Sequence, residues 1–193
     1  MIAWGDAEAG GDISGETATL LAACEARSIA ATHYAFAALC ADGSVVPWGD
    51  SVSGGSYEQS RAALGALGAG VTSSVATLVG NNQAFAAITV EGNVVAWGMP
   101  AYGGDKSSVG DRLSEIAPIG TIVAAEYAFA AVASSGKVVA WGDPYSGGDS
   151  SAVAEALDGD VKEARCIHIV CTPRACTPQH ACACAPHAHA HRM

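Results

Sequence analysis

Aromatic residues make up only 6% of this 193-residue chain, and charged residues only 15%. Cations are scarcest: nine Lys and Arg stand against 19 Asp and Glu, a formal net charge of −10. Such a chain has little with which to neutralise phosphates, so a nucleic-acid partner is not expected. No apolar run reaches the ~18 residues of a membrane span, so no membrane partner is expected either. The N-terminus, Met1-Ile2-Ala3-Trp4-Gly5-Asp6, lacks the basic and long apolar regions of a signal peptide. Without such a leader, the expected compartment is cytoplasm or nucleus. Histidine is nearly missing before residue 164, where only His33 occurs, and no nucleophile–base–acid set accompanies it. An enzyme is therefore not expected, and neither is a cofactor. What the chain has is small residues: 23 Gly and abundant Ala within a composition that is 50% hydrophobic. A weakly charged Ala/Gly/Val-rich chain is not a typical disordered one.

Those residues are arranged in a repeat, the first feature to be sought in any sequence. Trp-Gly recurs at Trp4, Trp48, Trp97 and Trp141. A Gly pair follows each after the same offset: Gly10-Gly11, Gly54-Gly55, Gly103-Gly104 and Gly147-Gly148. A Leu follows at Leu20, Leu64, Leu113 and Leu157. Before each of the last three Trp come Phe36, Phe85 and Phe129, each within Ala-Phe-Ala-Ala, and then a turn glycine at Gly43, Gly92 or Gly136. Two short apolar runs flanking a Gly-containing turn read as a β-hairpin. Glu and Ser before the turn Gly disfavour a type I′ turn and fit a type I turn with Gly in the left-handed position. A third strand is expected around Ile29, Leu78 and Ile122. Trp-Gly-x4-Gly-Gly reads as a loop, and Asp149–Leu157 as one or two turns of helix.

A repeat of roughly 45 residues with three short strands means a solenoid or a propeller. The segment Ala35-Phe36-Ala37-Ala38-Leu39, followed by Asp42-Gly43-Ser44-Val45-Val46-Pro47-Trp48-Gly49, resembles the repeat of regulator-of-chromosome-condensation proteins. The resemblance covers about residues 1–160 and implies blades of a seven-bladed β-propeller. Here the units are shorter, Gly-Gly-Asp replaces Gly-Gln, and the unit is also similar to propellers of secreted bacterial β-lactamase inhibitor proteins. Neither resemblance brings an activity with it. The expected fold is all-β: a partial, open β-propeller of three to four short repeats, with short helical turns in the loops. The chain opens on the last strand of a hairpin and runs out of repeat after Leu157. The expectation is thus a piece of a longer repeat protein.

The recurrent Trp4, Trp48, Trp97, Trp141, Phe36, Phe85, Phe129, Leu20, Leu64, Leu113 and Leu157 are expected in the core, since a side chain at a fixed offset packs the same space in each unit. Sugar-stacking tryptophans are the alternative. The Gly pairs lack the strand–helix context and Lys-Ser/Thr of phosphate loops. Asp6, Asp50 and Asp143, with Asp12, Asp105 and Asp149, read as turn and cap residues rather than calcium ligands, because an ion site would keep its ligands in every copy. Cys24 and Cys40 read as isolated small apolar residues.

Composition breaks near Ala164. Residues 1–163 hold all the acids and six of the nine cations; residues 164–193 hold three Arg, five of the seven Cys and five of the six His. The division is a repeat domain, 1–163, and a low-complexity tail, 164–193, expected to be disordered and dispensable. Its cysteine gaps match no zinc finger. Cys166, Cys171, Cys176, His187, His189 and His191 are candidates for weak, non-specific metal binding only.

The function expected from these features is a non-catalytic protein-interaction module that binds a protein partner and self-associates through open array ends. The alternatives are a substrate-recognition part of a ubiquitin ligase, a nucleotide-exchange regulator, and a carbohydrate-binding propeller.

Overall fold

The computed structural model describes residues 2–13, 15–66, 74–157 and 161. After a tight turn at Ala7–Gly11, α1 spans Gly15–Ala23, and β1 (Ala26–Ala31), β2 (Ala35–Cys40) and β3 (Val45–Gly49) form the first sheet. A second turn, Ser51–Gly55, leads into α2 (Tyr57–Gly65) and a second sheet of β4 (Val75–Gly80), β5 (Ala84–Thr89) and β6 (Val94–Gly98). Then α3 (Gly110–Ile116) precedes β7 (Ile119–Ala124), β8 (Ala128–Ala133) and β9 (Val138–Gly142). The described fold is thus three antiparallel three-stranded sheets, each in sequence order and each introduced by a short helix.

The three sheets repeat in detail. Each first pairing carries a bulge, at Ala26/Ser28, Val75/Thr77 and Ile119/Thr121. Each second pairing sets Phe opposite Trp: Phe36↔Trp48, Phe85↔Trp97 and Phe129↔Trp141. The hairpin glycine lies in the left-handed region each time, as at Gly92 with φ +82°. That conformation costs a glycine nothing and other residues a steric penalty.

The middle strands are buried along their whole length in β5 and β8. Period-2 geometry explains why they read Ala-Phe-Ala-Ala instead of alternating apolar and polar. Ala35, Ala37 and Leu39 face forward onto Phe85 and Trp97 of the next sheet. Ala84, Ala86 and Ile88 do the same for Phe129 and Trp141. Small side chains on one sheet leave room for the large rings of the next.

Backbone hydrogen bonds join the sheets at both ends of the hairpins. Val75 N donates to Gly43 O at 2.8 Å, Ile119 N to Gly92 O at 2.9 Å, and Val161 N to Gly136 O at 3.3 Å. The third bond extends the series to Val161, which is buried against Val132 and Leu157. At the other end, His33 N donates to Asn82 O at 2.9 Å and Asn82 N to Glu126 O at 3.1 Å. His33 therefore corresponds to Asn82 and Glu126, each three residues before the Phe of its sheet.

The one or two helical turns expected over Asp149–Leu157 are present as a 3-10 helix at Ser151–Leu157, and the stretches before each first strand form α-helices of nine, nine and seven residues. One expectation changes. Cys24 and Cys40 are not isolated but joined in a disulfide, with Cα atoms 5.2 Å apart. Folding of β1 against β2 sets Ala26 opposite Cys40 and so brings Cys24, two residues before the strand, to the bond. The candidate tail ligands Cys166, Cys171, Cys176, His187, His189 and His191 lie outside the described residues, as does the whole of 164–193. Among the described residues, no helix is long and apolar enough to cross a membrane.

Candidate functional site

Each sheet carries the same constellation, so it is made three times. Phe36 stacks on Trp48 with ring centroids 5.4 Å apart, Phe85 on Trp97 at 5.5 Å and Phe129 on Trp141 at 5.4 Å. The loop before each helix closes over the pair. Its first paired glycine lies so close to the Phe ring that a Cβ at Gly54 would sit 2.7 Å from Phe85, and that glycine is also left-handed at φ +94°. Gly10 on Phe36 and Gly103 on Phe129 repeat the approach. Each indole then donates its Nε1–H to the same glycine's carbonyl: Trp48 to Gly10 at 3.1 Å, Trp97 to Gly54 at 3.1 Å and Trp141 to Gly103 at 3.0 Å. A buried indole N–H needs such an acceptor.

Aspartates hold the loops. Asp50 accepts from Ser53 N at 2.8 Å and Ser53 Oγ at 2.6 Å. Asp143 accepts from Ser146 Oγ, Asp6 from Glu8 N, Asp105 from Ser107 and Asp149 from Ser151. These bonds stabilise the carboxylate, so the Ser53 hydroxyl holds the Asp50 carboxyl below its ordinary range although partial burial opposes it. Asp149 is lowered by the Ser151 backbone and Asp42 by the Ser44 hydroxyl. A carboxyl lowered by folding adds stability above its unfolded pKa, and that stability is lost as pH falls through the folded value. The thermal midpoint is therefore expected to drop as pH falls below about 4, and Asp50→Asn to flatten that dependence. An unchanged pH profile in Asp50→Asn would refute the assignment.

The positions expected in the core divide. Trp48, Trp97, Trp141, Phe85, Phe129, Leu113 and Leu157 are buried. Phe36, Leu20 and Leu64 are half-buried. Trp4 departs altogether: it is 85% exposed, against 6%, 3% and 1% for the other three indoles. The reason is pairing. Trp4 has no Phe in register with it among the described residues and no carbonyl for its indole N–H.

Exposure at this end is concerted. Ile2 is 84% exposed, and Ile29 is 53% exposed where its counterpart Ile122 is 5%. Between the Ile2–Ala3 segment and α1 lies a cleft of about 330 Å3, lined by Ile2, Ala3, Gly11, Asp12, Ile13, Ala18, Leu21 and Ala22, polar and apolar in about equal measure. Apart from Gly11 and Asp12, the repeat did not single out the residues that line it.

No protein-family model and no curated protein matches the chain. Among solved structures, human WBSCR16 is similar over 63% of this chain at 19% identity, with a TM-score of 0.41. The entire ectodomain of the Physcomitrella patens receptor kinase CR4 is similar over 62% at 18% identity, with a TM-score of 0.40. The chain spans 35% and 28% of the lengths of those two proteins.

Proposed function

We propose that this chain is a non-catalytic protein-interaction module whose sheets are blades of an open β-propeller related to the regulator-of-chromosome-condensation repeat. The observation that carries the reading is the exposed Trp4, at a repeat position that is buried in the other three copies, with Ile2 exposed beside it. Monomeric proteins rarely expose contiguous apolar surface without a partner for it. Amphipathic aromatics are the residues most enriched at interface hot spots.

The same burial weighs against a sugar-binding propeller, because Trp48, Trp97 and Trp141 present no ring face to solvent and only Trp4 could stack. The net charge of −10 weighs against chromatin or nucleic acid as the partner. The Cys24–Cys40 bond favours an oxidising compartment over cytoplasm or nucleus.

The test is site-specific photo-crosslinking in the producing cell. A photoreactive residue in place of Trp4 is expected to give a discrete protein adduct. The same residue in place of Tyr145, which is 95% exposed on a loop away from this end, is expected to give none. No adduct at either position, or equal adducts at both, would overturn the reading.

A further inference from the structure

We propose that Tyr102 and Tyr127 form an oxidative cross-linking site, at which a peroxidase-type oxidant couples the two rings into dityrosine and ties the loop after the second sheet to the third sheet. The site is independent of the Trp4 end.

The pair exists because the middle unit departs from the repeat. The loops after the first and third sheets carry Ser53 and Ser146, whose hydroxyls donate to Asp50 and Asp143. At the same offsets from Trp97 the loop after the second sheet has Met99 in place of the Asp and Tyr102 in place of the Ser. Met99 makes no side-chain cap for the turn at Pro100–Tyr102. Tyr102 reaches instead to Tyr127, with ring centroids 4.5 Å apart and planes inclined by 40°. Both backbones are fixed. The buried Asn81 donates from Nδ2 to Tyr102 O at 2.7 Å, and Tyr102 N donates to Met99 O at 3.1 Å. Tyr127 O accepts from Asp143 N at 2.9 Å, and the next residue, Ala128, begins β8. Both tyrosines are half-buried, so the rings are held in contact while each residue keeps part of its surface in solvent.

Dityrosine forms when two phenoxyl radicals meet. Here the meeting is already made by the fold, which replaces a bimolecular collision by an intramolecular step. A peroxidase that consumes hydrogen peroxide takes one electron and one proton from each phenol, and the peroxide is reduced to two waters. A C–C bond then forms between the carbons ortho to the two hydroxyls. The hydrogen on each of those carbons moves as a proton to its phenoxyl oxygen, which restores both rings. The product keeps two phenols and has lost two hydrogens. Tyr34 and Tyr145 are more exposed, at 51% and 95%, but among the described residues no second tyrosine ring touches either of them or Tyr57. Those three can couple only between molecules. The Cys24–Cys40 bond favours the oxidising compartment in which such an oxidant acts.

The test treats the dilute, intact chain with a haem peroxidase and hydrogen peroxide and follows dityrosine fluorescence and intact mass. The expected product is a monomer lighter by two hydrogens, whose tryptic digest contains segments 62–106 and 113–137 joined to each other. The fraction converted should not depend on protein concentration. It should fall by roughly tenfold or more in a chain unfolded by urea, where the held encounter is lost. Tyr102→Phe and Tyr127→Phe are each expected to abolish the joined segments while keeping the ring, and with it the parent's circular dichroism. Tyr145→Phe is expected to change nothing. Absence of the joined segments in the folded parent, their formation only in dimers, their survival in Tyr102→Phe, or an equal yield in urea would overturn the proposal.

Discussion

Replacing Phe85 by Ala is expected to destabilise the array by about 3–5 kcal/mol, the usual cost of emptying a buried phenylalanine site. The ring is fully buried, stacks on Trp97 and meets Ala35, Ala37, Leu39 and Val45 of the preceding sheet. Its neighbours are small and held in strands, so they cannot move in to fill the space, and collapse of the site is what lowers such a cost. Loss of the ring also leaves Gly54, which approaches it most closely, without its floor. A domain's whole stability is about 5–15 kcal/mol, so the variant should be partly unfolded in mild denaturant. Phe36→Ala provides the internal control. Phe36 makes the same stack on Trp48 but is half-buried, because its outer side is the Trp4 end. Its replacement should cost distinctly less. Urea melts of the two variants read the difference directly; equal midpoints would mean that the sheets do not stack as described.

The second large effect concerns the disulfide. Cys24 and Cys40 lie 16 residues apart, and closing a loop of that size is worth about 3 kcal/mol in the chain-entropy description. The bond ties the end of α1 to β2, on the side of the first sheet covered by α1. Leu21, Ala38, Val46 and Trp48 form the cluster beneath it. Reduction is expected to lower the urea midpoint, and the Cys24→Ala/Cys40→Ala variant to show the lower midpoint with and without reductant. Labelling of unreduced protein with a thiol reagent should leave these two cysteines unmodified. If the midpoint is the same with and without reductant in the parent, the bond contributes nothing to the fold.

Much of this architecture was legible in the spacing of a few residues. Ala-Phe-Ala-Ala, a turn glycine and Trp-Gly at constant offsets locate two strands of each sheet and place Phe and Trp in the same junction. The turn glycines are left-handed as the turn chemistry required. Trp4 was misplaced because a repeat offset specifies a position in a unit, whereas burial depends on the neighbouring strand, and among the described residues no strand pairs with Trp4. The disulfide was hidden because Cys24 and Cys40 approach only once β1 has paired with β2, a contact that no local pattern encodes. The Gly pairs read as conformational freedom, and the structure adds close approach to a ring. The cleft beside α1 arises from tertiary packing of residues that no motif unites.

The most direct test of the account is the solvent exposure of the four indoles, measured by fluorine NMR of protein labelled with 5-fluorotryptophan and assigned by Trp→Phe replacement. The expected result is one resonance with a full solvent isotope shift, lost in Trp4→Phe, and three protected resonances from Trp48, Trp97 and Trp141. A protected Trp4, or an exposed indole among the other three, would contradict three packed Phe–Trp pairs beside one exposed indole.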